Sequence, residues 1–234
     1  MVRSITVNIQ GRILSGTLRL LALATVGTGV LMGCNIVKPL SYVLEGPGQV
    51  EPEYELQDVV TMVFVDDRKS AFPRSALRAI VARTIAEKVV EELVLPAGKM
   101  IDPRDTLALA RSLESSNNPV SIERIGREAG AEQVIYVELD GFALTLDGFT
   151  PRPTSVCRVK VLDLAVGQRV YPNTATRGQE VMSQLREVNP SNFESFSRRR
   201  TIENELAVKT GTEVAKLFHK HERVDLGENL GAGR

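Results

Sequence analysis

Apolar positions recur along this chain in two periods, and each change of period marks out an element. The run Val59–Val65, VVTMVFV, is apolar on both alternating faces, as a central strand covered on both sides should be, and it ends at Asp66 and Asp67. Beyond Pro73, the residues Leu77, Ile80, Val81, Ile85, Val89 and Leu93 repeat at helical spacing. They predict a helix from a Ser75 cap to about Leu95, stopped by Pro96 and Gly98. Lys99–Ile101 could supply a short strand. Asp102 and Pro103 then provide the cap and first residue of a second helix reaching about Leu113. The polar cluster Ser115, Ser116, Asn117, Asn118 and Pro119 reads as a loop, and Ser121 caps a short helix that Gly130 ends.

The second half of the pattern is dominated by strands. Gln133–Leu146 reads as a long strand with Ile135, Val137 and Leu139 on one face, and Gly148–Pro153 as a turn-rich connection. Ser155–Leu162 alternates, with Cys157, Val159 and Val161 on one face and Arg158 and Lys160 on the other. Asp163–Gly167 makes a hairpin turn and Gln168–Tyr171 returns. No element is predicted between Thr174 and Asn192. A final helix over about Glu194–His221 carries the stripe Ile202, Leu206, Val214, Leu217 and Phe218, with Glu205 and Lys209 paired four residues apart. Strands and helices in this order define an α/β class. The expected architecture is a single three-layer-like domain, a mixed sheet of about four to five strands with flanking helices and a long C-terminal helix.

Before this domain the pattern is of another kind. Leu20–Cys34, LLALATVGTGVLMGC, is an apolar run preceded by Arg3, Arg12 and Arg19 and by no acidic residue. A positive start, a short apolar centre and a small residue at the cut are the parts of a secretory signal peptide. The run is too short and too rich in Gly to favour a retained span, which needs about 20 apolar residues. Leu31, Met32, Gly33 and Cys34 resemble the bacterial lipobox, which implies cleavage between Gly33 and Cys34 and covalent lipid, palmitate among it, on the Cys34 thiol. Several acyl chains hold a protein at a membrane far more durably than one, since each buried methylene contributes about 0.8 kcal/mol. Asn35 stands where Asp commonly marks retention at the inner membrane, so the outer membrane is favoured, with the domain facing the periplasm. From Asn35 onward Pro39, Gly46, Pro47, Gly48 and Pro52 interrupt every period, as in an extended tether. The expected division is therefore a signal peptide over residues 1–33, the acylated cysteine and tether over 34–57, the domain over 58–222 and an unstructured tail over 223–234.

Composition narrows the function. The chain has 234 residues, 43% hydrophobic and 25% charged, enough for one domain with a substantial core. Removing the signal takes away three arginines and no acid, turning a formal charge of zero into about −3, which disfavours a nucleic-acid partner. With lipid on Cys34, Cys157 has no disulfide partner in the chain, and its alternation with Val159 and Val161 makes it a small core residue.

The search for chemistry returns little. No phosphate loop, no Gly-x-Ser-x-Gly elbow and no zinc-type spacing of His and Cys occurs. His219 and His221 lie two apart on the predicted final helix, a spacing that sends them to different faces. Asp66 and Asp67 read as a solvated strand end rather than a divalent-ion site, and Tyr136 and Tyr171 as sheet packing rather than ligand stacking. Catalytic residues, metal and cofactor, apart from covalent lipid, are accordingly expected to be none. Candidates for contact with a partner are Phe149, an apolar residue at a loop tip, and Arg198, Arg199 and Arg200 near a helix start.

Taken together, VVTMVFVDDR, the long helix, IDPRDTLALARSL, IERIGREAGAEQVIYVELDGF and VCRVKVLDLAVGQRVYP resemble a known order of parts. The order is similar to the α/β domain shared by the curli-secretion lipoprotein (CsgG), the amino-terminal domain of TolB and the lipoprotein activators of peptidoglycan synthases (LpoB). The likeness spans roughly Asp58–His221 and includes the step Ala129, Gly130, Ala131, Glu132 into a strand and the turn from Asp163 to Gly167. It implies noncatalytic envelope work: secretion, assembly or activation of a membrane-bound partner, with a homo-oligomer possible. Pro151 and Pro153 stand in a short connection where a membrane strand would need its N–H donors, which speaks against a pore. The function expected from the sequence is a lipid-anchored envelope adaptor that binds other envelope proteins. The alternative is a periplasmic hydrolase or metal-dependent enzyme. An enzyme would need a pocket with converging ionisable groups, an adaptor an exposed sheet edge or groove.

Overall fold

The computed structural model describes residues 48–114, 120–145 and 150–223. The signal segment, Gly33, Cys34, Phe149, the loop over 115–119 and the tail from 224 lie outside them. The described chain falls into two compact units. In the smaller, the Arg223 N–H donates to the Gly48 carbonyl at 2.7 Å. The larger, Glu51–His221, is the α/β domain. It already includes Glu51–Gln57, part of the stretch that reads as tether. The reason is local packing: Tyr54 and Leu56 lie against the core, and the Glu53 and Tyr54 amides both donate to the Leu217 carbonyl.

Five strands and four α-helices build the domain. They are β1 (Thr61–Asp66), α1 (Ala76–Glu91), α2 (Pro103–Leu113), α3 (Ile122–Glu128), β2 (Gln133–Ala143), β3 (Thr154–Asp163), β4 (Gln168–Tyr171), β5 (Gln179–Gln184) and α4 (Phe196–Ala215). Strand β1 pairs parallel with β2, which pairs antiparallel with β3. The far edge of β3 is shared end to end: residues 161–163 pair with β4 and residues 154–159 with β5. The sheet is therefore mixed, as the sequence predicts.

The two faces of the sheet bury different residues. Val63, Val65, Ile135, Val137, Cys157, Val159, Val161 and Val181 face α1 and α4 and form the main core with Val81, Ile85, Ala207 and Val214. Burying side chains of this size stabilises by about 1.5–3 kcal/mol each. Met62, Phe64, Val134 and Tyr136 point the other way, under Ala110 of α2 and Ile125 of α3. Gly211 sits where α4 crosses α1 and leaves no room for a side chain: a Cβ there would stand 2.7 Å from Thr84 Cβ and 2.9 Å from the Val81 carbonyl oxygen. A half-buried ion pair, Arg74 to Glu203 at 2.6 Å, joins the approach to α1 to α4, and the second arm of Arg74 donates to Asn204 at 2.8 Å.

Several boundaries differ from the periodic reading, each for a visible reason. Asp102 and Ser121 cap α2 and α3 as predicted, accepting from the Arg104 and Arg124 amides. Ser75 adopts helical angles itself and makes no side-chain cap bond. Lys99–Ile101 is no strand: Ala97–Lys99 is a 3₁₀ turn, and Met100 makes a single parallel bridge to Thr61. Gly130 ends α3 at φ +75°, where the Ala131 amide returns to the Gly126 carbonyl. Strand β5 falls within the stretch to which the pattern assigns no element.

Candidate functional site

The carboxyl end of β1 gathers a group of ionisable side chains. Because β1 alternates, Phe64 and Asp66 leave on the same side, next to Tyr136 of the parallel neighbour β2. The rings of Phe64 and Tyr136 stack with centroids 6.4 Å apart. The Tyr136 hydroxyl donates to the Asp66 carboxylate at 2.5 Å, and Arg68 Nε pairs with the same carboxylate at 2.7 Å. Arg78 of α1 donates to the Val65 carbonyl at 3.0 Å and lays its guanidinium 5.6 Å from the Phe64 ring centre. With Glu114, Ile122 and Ile125 these groups line a cavity of about 290 Å³.

Asp66 is thus no solvated strand end. It is buried at 7% exposure because the strand runs on to include it and Tyr136 closes over it. Asp67 behaves differently, since its carboxylate accepts from the Ala71 and Phe72 amides at 2.7 and 3.2 Å and fixes the loop after β1. Sequence reasoning missed the Tyr136–Asp66–Arg68 chain. No local signal joins them: Tyr136 stands opposite Phe64, two residues before Asp66 on the same face of β1, and only the register reveals this.

Burial and then the hydrogen bond to Asp66 raise the Tyr136 hydroxyl well above its ordinary value near 10, so it stays a neutral donor. The Asp66 carboxylate is matched by Tyr136 and Arg68, and Arg78 is held on a main-chain carbonyl. A general acid or base works best with a pKa near the operating pH, and burial moves the Tyr136 hydroxyl further from it.

Beside the cavity the same face of the sheet carries a ladder of ion pairs. Lys160 pairs with Glu138 at 3.5 Å, and its ammonium stands 5.6 Å from the Tyr136 ring centre. Arg158 and Lys69 both pair with Asp140, at 2.8 and 2.5 Å. Asp140 is presented there by a bulge, since the register between β2 and β3 shifts between Leu139 and Gly141.

The remaining sequence candidates are scattered. Arg198, Arg199 and Arg200 are exposed in the first turn of α4, Arg199 bonding the Phe193 carbonyl at 2.7 Å and Arg200 lying over the Phe196 ring. Cys157 is fully buried, its thiol pushed up to about 12 by burial and then by Asp140. Tyr171 is held by a 2.7 Å bond to Glu53. The histidines correct the helical reading: α4 ends at Ala215, so His219 and His221 lie beyond it and their rings meet at 5.9 Å. Two imidazoles are fewer than the three or four protein ligands of a zinc site. Among the described residues no cluster of three metal-binding side chains occurs, and no helix is long and apolar enough to cross a membrane.

No family model matches the chain, and no curated protein matches it. Solved structures with a similar path include the hypothetical protein CT253 from Chlamydia trachomatis, 16% identical over 69% of this chain and 94% of that one, with a TM-score of 0.41. Lipoprotein GNA1162 from Neisseria meningitidis is 10% identical over 64% and 98% of the two chains, with a TM-score of 0.38. The LpoB C-terminal domain from Salmonella enterica is 14% identical over 62% and 90%, with a TM-score of 0.33. Bacterial lipoproteins are therefore among the structures this chain is similar to. All three lie below a quarter identity and a TM-score of 0.5, so a functional reading has to come from this chain's own residues.

Proposed function

We propose that this protein is a lipid-anchored adaptor of the bacterial cell envelope, held at the periplasmic face of the outer membrane through acylated Cys34, and that it binds other envelope proteins without catalysing a reaction. The observation that carries the reading is Leu31–Cys34 at the end of an Arg-led apolar run. The α/β domain starts at Glu51, and a stretch as long as residues 35 to 50 can span at most about 55 Å. The domain therefore works within that distance of the lipid surface. The cavity favours the adaptor over the hydrolase, because its buried acid, Asp66, is already matched by Tyr136 and Arg68 within the protein. The LpoB type of role, activation of a membrane-bound synthase, fits the same anchored geometry.

The test is metabolic labelling with a fatty acid, followed by membrane fractionation, of the parent chain and of Cys34→Ser. The parent should carry label and sediment with outer membranes, and the variant should carry none. Equal label on both chains would overturn the reading.

A further inference from the structure

Strand β5 is an element the sequence pattern does not predict, and its outer edge has no strand partner among the described residues. Edges of this kind are usually blunted by lysine, proline, a bulge or a cover. The sequence of β5, QEVMSQ, contains no lysine or proline, and its register with β3 runs without a shift from Gln179 to Gln184. Val181 and Ser183 point inward and are buried, whereas Glu180, Met182 and Gln184 are exposed on the opposite face, Met182 at 66%.

The phase of the edge follows from one hydrogen bond. Thr154 lies opposite Gln184, which sets Pro153 against Leu185, and the Leu185 amide donates to the Pro153 carbonyl at 2.9 Å. Main-chain groups in an antiparallel pair alternate between facing the partner and facing away. The odd residues of β5 therefore bond to β3, and the N–H and C=O groups of Glu180, Met182 and Gln184 face outward.

We infer that β5 is a homodimer edge, pairing antiparallel with β5 of a second copy about a two-fold axis at Met182. In that register Met182 meets Met182 of the second copy, and Glu180 meets Gln184. All three outward residues thus fall in hydrogen-bonded pairs, giving about six main-chain bonds and a continuous sheet across both copies. Moving the axis to Val181 or Ser183 leaves one outward residue of each strand without a counterpart inside the strand. Charge agrees with the Met182 axis. Glu180 lies beside Arg158 of its own β3 and opposite a neutral amide, so no like charges meet across the interface. The exposed methionine is covered by its own counterpart, as an isologous contact requires. The pairing is independent of the lipid anchor, which lies outside the domain.

Cysteine crosslinking of the full chain in isolated membranes tests both partner and register. Buried Cys157 should keep the parent chain uncrosslinked under mild oxidation, whereas Met182→Cys should convert most of the protein to a covalent dimer. Glu180→Cys alone should not crosslink, and Glu180→Cys combined with Gln184→Cys should. Met182→Lys, which sets two ammonium groups against each other, should weaken self-association about tenfold or more, with the thermal midpoint unchanged at dilutions where the parent is a single copy. A detergent-extracted parent chain that sediments as a single copy would overturn the inference. So would crosslinking of Glu180→Cys alone as rapid as that of Met182→Cys.

Discussion

Replacing Gly211 by alanine tests whether the crossing of α1 and α4 is as close as the structure has it. Two effects oppose each other. Alanine in a helix interior is favoured over glycine by about 1 kcal/mol. Against this, the new Cβ would stand 2.7 Å from Thr84 Cβ, 2.9 Å from the Val81 carbonyl oxygen and 3.0 Å from Thr84 Cγ2. Ordinary carbon contacts begin near about 3.5 Å, so the helices must part by a good fraction of an ångström. The nearest obstacles are a main-chain oxygen and a Cβ, neither of which can rotate aside. Overpacking of this kind typically costs about 1–3 kcal/mol, and the rigid obstacles put it at the upper end. The net expectation is a loss of about 2 kcal/mol, or about 4–8 °C in thermal midpoint for a domain of this size. Gly126→Ala is the matched control. Its Cβ would strike Leu164 Cδ1, the far end of a flexible side chain, so its loss should be smaller. Urea titration and thermal melting of the two variants would decide it. A Gly211→Ala chain as stable as the parent, or more stable, would show that the two helices are not held at this distance.

Other consequences are equally checkable. Tyr136→Phe removes a buried hydrogen bond to a carboxylate and should destabilise by about 2 kcal/mol in urea titration. The folded-state value of Tyr136 is raised, so its contribution is complete below the ordinary tyrosine value near 10 and is lost as pH rises through the folded value. The variant should therefore lose less stability than the parent in that alkaline window. Glu213 shows the opposite sign: burial works against its charged form, but the bonds from Lys209 and Lys216 outweigh it and hold its carboxyl below the ordinary glutamate value. Its contribution is complete above that ordinary value and disappears as pH falls through the folded one, so Glu213→Gln should flatten the acid limb of a stability profile. Arg198→Glu reverses an exposed charge in the first turn of α4, where no acidic residue stands, and should raise stability by about 0.5 kcal/mol at low salt.

Much of the fold was legible because its signals are local. The helical spacing of Leu77, Val81, Ile85 and Val89, the Asp102-Pro103 start and the Gly130 stop each act within a few residues, and the structure realises each of them. Strand β5 was not legible because its burial comes from elsewhere: a single branched residue, Val181, faces the core, and α4 rather than composition holds the strand in the sheet. The early end of α4 was hidden for a related reason. Leu217 and Phe218 continue the apolar stripe and are buried, so the period outlasts the helix. At the cavity, Asp66 looked solvated because an acid after an apolar run usually leaves a strand. Its partner Tyr136 lies 70 residues away, and only the parallel register of β1 with β2 brings the two together.

The central claim is that Cys34 is the first residue of the mature protein and the point at which it is held to the membrane. Intact-mass spectrometry of the chain extracted from the membranes of its own cells tests this most directly. The expected result is one species whose polypeptide begins at Cys34 and whose excess mass is that of acyl chains carried by Cys34. A chain that begins at Met1, or one that begins at Cys34 with a free thiol and no added mass, would contradict it.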